Sequence, residues 1–191
     1  MDNQGNAARK GRLFVVSGPS GVGKSSIIEQ FMKEDKGALF SVSYTTRQKR
    51  PHEVEGKDYY FVDGALFQEM VDKDRFLEWE NVHAHRYGTP RKEVADALAQ
   101  GLDMILDIDV KGALRVQEKC SEACLVFIEP PSKEDLVKRL SFRGEKDLEL
   151  RMKRVEEELA SKHLFRYTIV NDTLDRACKA FGHIVETTRR Q

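Results

Sequence analysis

Residues Gly18-Pro19-Ser20-Gly21-Val22-Gly23-Lys24-Ser25 have the types and spacing to hold a polyphosphate, since they satisfy G-x-x-x-x-G-K-[ST]. The three glycines leave room for backbone N–H groups to turn onto phosphate oxygens, and the positive end of a following helix points at the same anion. Lys24 is placed to reach the β- and γ-phosphates. Ser25 offers a hydroxyl to Mg²⁺, a cation that binds through one or two protein oxygens together with the phosphates. Phosphoryl transfer from a nucleoside triphosphate is the chemistry such a loop prepares.

Two further sets of side chains fit the same chemistry. Residues 104–109, Met-Ile-Leu-Asp-Ile-Asp, read as a strand that carries Asp107 and Asp109 onto one face. They stand at its C-terminal end, which faces the ligand crevice in a doubly wound sheet. Asp107 is suited to hold Mg²⁺ through water and Asp109 to lie nearer an acceptor; the competing reading is an acidic strand end that caps the next helix. Within residues 43–51, Ser-Tyr-Thr-Thr-Arg-Gln-Lys-Arg-Pro, Arg47 and Arg50 stand among hydroxyls, with Tyr59 and Tyr87 further along. Forked guanidinium groups with phenolic donors suit a phosphate monoester. For an isolated arginine pair, surface charge on an exposed loop is the alternative.

These groups need a scaffold, and the hydrophobic pattern supplies one. Apolar residues 13–17 lead into the loop, and the run from Ser25 and Ser26 to Met32 leads out with helical spacing. Residues 104–109, 124–128 and 167–170 read as buried strands, and helical patterns cover 110–118, 132–140, 147–163 and 174–189. Ser132 with Asp135, after Pro130-Pro131, forms an N-cap signature. Alternating strands and helices predict an α/β fold, a P-loop parallel sheet with helices on both faces. Between about 43 and 89 the pattern changes to short strands at 58–62 and 75–82 around one helix near 65–71, as in an inserted small lobe. Residues 141–147 are charged, contain Gly144 and suit a short lid, taken as 141–153. The expected division is a single domain over 12–190, with its core in 12–42 and 90–190 and a flexible leader over 1–11.

Length and composition narrow the function classes. The 191 residues suffice for one substantial core. With 32 Lys and Arg against 32 Asp and Glu, no overall field draws in nucleic acid or an anionic membrane. The apolar runs are short for a membrane span and the first residues are polar, which predicts a cytoplasmic protein that acts on small molecules. Cys120, Cys124 and Cys178 lack the paired spacing of a zinc site and read as free structural thiols. His83 and His85 share a strand with Glu78 and Glu80 but lack the spacing of a fourth metal ligand.

Further segments join the loop in a wider match: residues 41–51, 53–59, Phe76-Leu77-Glu78-Trp79, Tyr87-Gly88-Thr89, Leu106-Asp107-Ile108-Asp109, Pro130-Pro131-Ser132, Arg143-Gly144 and Val170-Asn171-Asp172. On these the chain resembles the guanylate kinases, nucleoside monophosphate kinases that pass the γ-phosphate of ATP to GMP, over nearly everything from residue 11 to about 189. The resemblance implies a GMP-binding role for the inserted lobe. It assigns Arg47, Arg50, Tyr59 and Tyr87 to the GMP phosphate, and Ser43, Glu78, Thr89 and Asp109 to its base. Guanine offers N1–H and an exocyclic NH₂ as donors and O6 as an acceptor, a pattern that carboxylates and hydroxyls match and adenine does not share. On the donor side it assigns the loop residues 18–25, Ser26, Arg139 and Arg143 to ATP, and Asn171 to the neighbourhood of the adenine. Mg²⁺ falls to Ser25 and Asp107. The catalytic set it implies is Lys24, Arg47, Arg143 and Arg154, with no general base, because a phosphomonoester with a second pKa near 6 is already largely ionised at pH 7. ATP and GMP, and dGMP beside it, are the expected substrates, and a homo-oligomer is left open.

Some positions depart from that pattern. Glu145-Lys146-Asp147 follows Arg143-Gly144 where an acid and a small hydroxyl residue are usual, and His52 stands where Gly is typical. Arg86 precedes Tyr87 where Tyr is common, with phosphate binding or simple exposure as its two readings. The alternatives to a GMP kinase are a kinase for a sugar phosphate such as ribose 1,5-bisphosphate and a non-catalytic module that binds phosphopeptides. The complete phosphate loop argues against the module, and Ser43, Glu78 and Asp109 favour a guanine base over a sugar.

Overall fold

The computed structural model describes residues 10–82, 84–142 and 148–191, with backbone alone at 139–142 and 148–151. In chain order the strands are β1 (Leu13–Ser17), β2 (Ala38–Phe40), β3 (Tyr44–Thr45), β4 (Tyr60–Phe61), β5 (Phe76–Val82), β6 (His85–Pro90), β7 (Asp103–Asp107), β8 (Cys124–Glu129) and β9 (Tyr167–Val170). The helices are α1 (Lys24–Glu34), α2 (Gly64–Asp72), α3 (Arg91–Ala99), α4 (Val110–Lys119), α5 (Lys133–Phe142), α6 (Leu148–Ala160) and α7 (Leu174–Arg189).

Five strands form the central sheet in the order β2-β7-β1-β8-β9, all paired parallel. Such a sheet is covered on both faces, so its central strands are apolar in their interiors and their alternation sorts side chains between two cores. Phe14 and Val16 of β1, with Val126 and Ile128 of β8, join Ile27, Phe31 and Phe181 from α1 and α7. Leu13 and Val15, with Leu125 and Phe127, join Val94, Ala113 and Val116 from α3 and α4. Chain order reverses at β1, whose neighbours are β7 and β8, and at such a switch point the loops beyond the strand ends part to leave a crevice.

The end of α7 is tied to the far edge. Arg189 donates to Asp35 at 2.9 Å and to the fully buried Asp103 at 2.6 Å, and Asp103 also accepts the backbone N–H of Arg12. The guanidinium holds the Asp35 carboxyl below its ordinary range, while its own pKa is raised.

A second sheet, β4-β3-β6-β5, is built from residues 44–90 and is antiparallel except for the β3–β4 pair. Its one face is aromatic. Phe67 of α2 stacks at 4.7 Å on Phe76, which also meets Tyr44, and Trp79 closes the group. A bulge between Phe76 and Glu78 shifts the register of β5 against β6. Without it the two residues would share a face; with it Phe76 enters the aromatic cluster while Glu78 turns to the opposite side.

Several elements differ from the sequence expectations. α3 and β2 escaped the periodicity reading, because α3 is short and opens on three charged residues and β2 has three residues. The strand expected over 58–62 shortens to β4, and β3 and β6, two further strands of this sheet, were not expected. The strand expected to reach Asp109 ends at Asp107, and Asp109 is the N-cap of α4, its Oδ1 accepting from Gly112 N at 2.8 Å. The competing reading of that acidic strand end, as a helix cap, is therefore correct for Asp109. The Ser132 cap is observed, with Asp135 N–H donating to Ser132 Oγ at 3.0 Å. Residues 1–9 of the expected leader lie outside the described residues, as do His83 and 143–147 of the expected lid.

Candidate active site

The phosphate loop connects β1 to α1 with Gly18, Gly21 and Gly23 all at positive φ. Gly23 takes φ 99° as the N-cap of α1, and a β-carbon there would stand 2.4 Å from Asn171 Nδ2, so both conformation and space demand glycine. Val22 is buried in the α1 core, which anchors the loop from below. The Lys24 ammonium folds back to donate to Gly18 O at 2.8 Å and lies 3.8 Å from an Asp107 oxygen. Ser25 Oγ donates to Asp107 Oδ2 at 2.9 Å. A hydroxyl and a carboxylate side by side below a phosphate loop form a hard-oxygen donor set of the kind Mg²⁺ takes, so these two residues fit the metal.

Asn171, at the end of β9, is 6% exposed and donates its amide to Val22 O at 2.7 Å. It thus braces the loop backbone, a role the sequence reading did not anticipate when it set Asn171 beside an adenine.

The acceptor half lies on the non-aromatic face of the second sheet. Glu78 pairs with Thr89, and one step beyond the last β3–β6 pair Ser43 comes opposite Thr89. The register therefore lines up Ser43, Thr89 and Glu78 in a row across three strands, and all three are buried. Thr89 Oγ1 donates to Glu78 Oε1 at 2.5 Å. Burial pushes the Glu78 carboxyl up to about 7 despite that hydrogen bond, with the Asp109 charge adding to the rise. The other Glu78 oxygen stands where α4 has no side chain: a β-carbon on Gly112 would come within 2.8 Å of it.

Two residues along the strands, Arg47, Tyr59 and Tyr87 gather. Arg47 Nε donates to the Tyr87 hydroxyl at 3.2 Å, and its guanidinium lies 5.4 Å from the centre of the Tyr59 ring. Tyr59 and Tyr87 meet edge to face. Burial, and then the Asp107 charge, raise the Tyr59 pKa, so the phenol stays a donor. Arg50 is not part of this group: its side chain is exposed, while its backbone N–H donates to the Glu53 carboxylate and its carbonyl accepts from Glu53 N–H.

Glu53 is a residue the sequence reading left without a role. It takes the Arg47 fork at 2.7 and 3.0 Å, and the guanidinium holds its carboxyl below the ordinary range. An acid six residues after an arginine gives no periodic signal, so only the loop geometry reveals the pair.

Arg86 takes neither role expected of it. It donates to Gln68 and to Gly64 O and lies over the Phe67 ring at 4.9 Å, clamping α2 to the sheet. Arg154 lies 3.5 Å from Asp109 and 3.6 Å from Glu158, on the acceptor side of the cleft. Glu158, also unforeseen, is raised by burial and lies within the field of Lys24 and Arg154. A cavity of about 400 Å³ lined by Asn81, Asp109, Lys111, Lys153, Arg154 and Glu158 opens there. It adjoins the acceptor half through Asp109 and does not extend over the phosphate loop, so the side-chain geometry, not this cavity, defines the two nucleotide halves. Arg143 and the side chain of Arg139 lie outside the described residues.

A parallel sheet with a phosphate loop at its switch point, facing a second sheet with a buried glutamate and an arginine–tyrosine cluster, is a two-substrate cleft. The family model "Guanylate kinase" matches residues 10–188. The chain belongs to the guanylate kinase family. It is 44% identical over 183 residues to a guanylate kinase of Thermotoga maritima, covering 94% of this chain and 88% of the relative. It is 46% identical over 171 residues to one of Carboxydothermus hydrogenoformans, covering 88% and 84%. Among solved structures, a guanylate kinase of Anaplasma phagocytophilum superposes with a TM-score of 0.80 at 30% identity, covering 95% of this chain and 88% of that one. A gluconokinase of Sinorhizobium meliloti, at TM-score 0.51 and 16% identity, shares the fold alone.

Proposed function

We propose that this cleft passes the γ-phosphate of ATP to GMP, giving ADP and GDP, with its residues dividing the work as follows. The loop 18–25 and the start of α1 hold the ATP phosphates through backbone N–H groups, and Lys24 leaves the Gly18 carbonyl to meet the transferring phosphoryl group. Ser25 and Asp107 hold Mg²⁺. When bound, the ion neutralises charge on the phosphate oxygens. Arg47, Tyr59 and Tyr87 grip the GMP phosphate, with Glu53 fixing the arginine fork. Arg50 joins them only by swinging in from solvent.

Guanine lies against the Ser43–Thr89–Glu78 row with Asp109 at its margin, and ionised Glu78 accepts from its N1–H and NH₂. A base that leaves such buried groups unpaired is rejected far more strongly than shape alone achieves. These contacts reach base and phosphate, so dGMP is accepted as well. Arg154 leaves Asp109 as the cleft closes and joins Arg143 at the phosphates, where the positive charge stabilises the transition state. Closure keeps water from the γ-phosphate. The attacking GMP oxygen is already ionised, and positioning replaces a general base.

The observation that carries this reading is the pairing of Ser25 with Asp107 beneath the loop, opposite the buried Glu78–Thr89 pair. The free cysteines fit a reducing cytoplasm, and no helix of the described residues is long and apolar enough to cross a membrane. Lys24→Met tests the donor side. Turnover should fall at least about 100-fold with an unchanged melting temperature, and near-normal turnover would remove Lys24 from the chemistry.

A further inference from the structure

We infer that Arg115 and Lys119 are positioning residues for the acceptor pocket: from α4 they grip the open edge of β5 and hold Glu78 in its place over Gly112. The inference rests on the reading of Glu78 as a guanine contact.

Among the described residues β5 is an edge strand, with β6 on one side and no strand on the other. Carbonyls two residues apart in a strand point the same way, and on the open side α4 takes two of them. Lys119 Nζ donates to Leu77 O at 2.6 Å, and Arg115 Nη1 donates to Trp79 O. Arg115 Nη2 also lies 2.9 Å from Glu80 Oε2, without the alignment of a hydrogen bond. The two cations are four residues apart on one helix face and their carbonyl partners bracket Glu78. Gly112 stands on the same face one turn earlier, and it is over Gly112 that the Glu78 carboxylate lies. Leu77 completes the seat, packed in one core with Ala113 and Val116. The strand that carries the base-reading acid is thus fastened to the core helix whose N-cap is Asp109.

Covering an edge strand is a sufficient structural reason for such contacts, so the role must be separated from it. Arg115 has a second effect that allows this. The groups facing Glu78 are Thr89 from β6, Asp109 and Arg115 from α4, and Glu80 on β5 itself; the two acids favour its neutral form and Arg115 opposes them. Loss of that cation therefore raises the Glu78 pKa and confines its ionised, guanine-accepting form to higher pH. An edge cover alone would leave the titration unchanged.

The test is KM for GMP and for ATP between pH 6 and 9 in wild type, Glu78→Gln, Arg115→Met, Arg115→Lys and Lys119→Met, with melting temperatures alongside. Both methionine variants keep the aliphatic stem, so packing is largely retained. Arg115→Met should raise KM for GMP about fivefold or more with KM for ATP within about twofold, and the rise of KM for GMP on acidification should begin at higher pH. Arg115→Lys should restore most of the pH profile, and Lys119→Met should raise KM for GMP without moving that profile. A lower melting temperature with KM for GMP and its pH profile unchanged in Arg115→Met would overturn the inference while leaving Glu78 its role, if Glu78→Gln is impaired. Glu78→Gln with wild-type KM for GMP would remove the underlying reading, and the inference with it.

Discussion

The amide of Asn171 donates to the carbonyl of Val22 at 2.7 Å, joining the end of β9 to the phosphate loop across 149 positions of chain. The same amide nitrogen stands where a side chain on Gly23 would collide, so loop and brace shape each other.

Asn171→Ala removes this buried bond and should lower unfolding stability by about 1–3 kcal/mol. It should also raise KM for ATP more than KM for GMP, since only the donor half leans on the brace. Urea unfolding and steady-state kinetics on the two substrates check the pair of expectations, and equal changes in both KM values would show that Asn171 acts on the whole fold.

Glu78 gives a prediction of opposite signs for stability and function. Its folded pKa is raised, from an ordinary 4.5 to about 7, so the native state binds the extra proton and stability is lost as pH rises through about 7. At about 1.4 kcal/mol per pH unit, the ionised form at pH 8 costs about 3 kcal/mol. Glu78→Gln should therefore melt several degrees higher than wild type at pH 8, by little at pH 4.5, and discriminate GMP from AMP much less well. Calorimetry at the two pH values and kinetics with both acceptors decide it.

Much of the donor half could be read in the chain, and the reason is local. The loop is contiguous in sequence, flanked by an apolar strand and a helix with a clear period, and Asp107 ends an apolar run that reads as a central strand. The acceptor half was readable as a set of residues but not as an arrangement. The row of Ser43, Thr89 and Glu78 depends on the register of β3, β6 and β5, two of which are too short or too polar to signal themselves, and on a bulge that re-aims Glu78. The Asp109 cap is local and was one of two readings open in the sequence, whereas the Asn171 brace and the Arg86 clamp on α2 are long-range contacts, for which sequence spacing carries no information.

Glu53 should matter to GMP and not to ATP. It holds the Arg47 fork by two hydrogen bonds, and its replacement in Glu53→Gln leaves the guanidinium with one weaker acceptor. KM for GMP should rise about tenfold, with KM for ATP changed less than about twofold. Because Arg47 holds the Glu53 carboxyl below its usual range, the pair should survive in wild type at pH values where an ordinary carboxylate begins to protonate. Product inhibition by GDP, measured beside KM, gives an independent readout of the same grip.

Asp107→Asn should weaken the metal pair. The Ser25 contact can persist through the amide, but the negative charge of the pair is lost with the carboxylate. Turnover at low Mg²⁺ should fall by about 100-fold or more and recover partly as Mg²⁺ is raised. A Mg²⁺ titration of wild type and variant checks this, and superimposable curves would place the metal elsewhere.

The most direct measurement is ADP formation from Mg-ATP with GMP, AMP, CMP, UMP and ribose 1,5-bisphosphate offered separately. Rapid turnover with GMP and at most slow turnover with the others is the predicted result, since only guanine pairs with the Glu78 row. Turnover with the sugar phosphate or with another base in place of GMP would contradict the account.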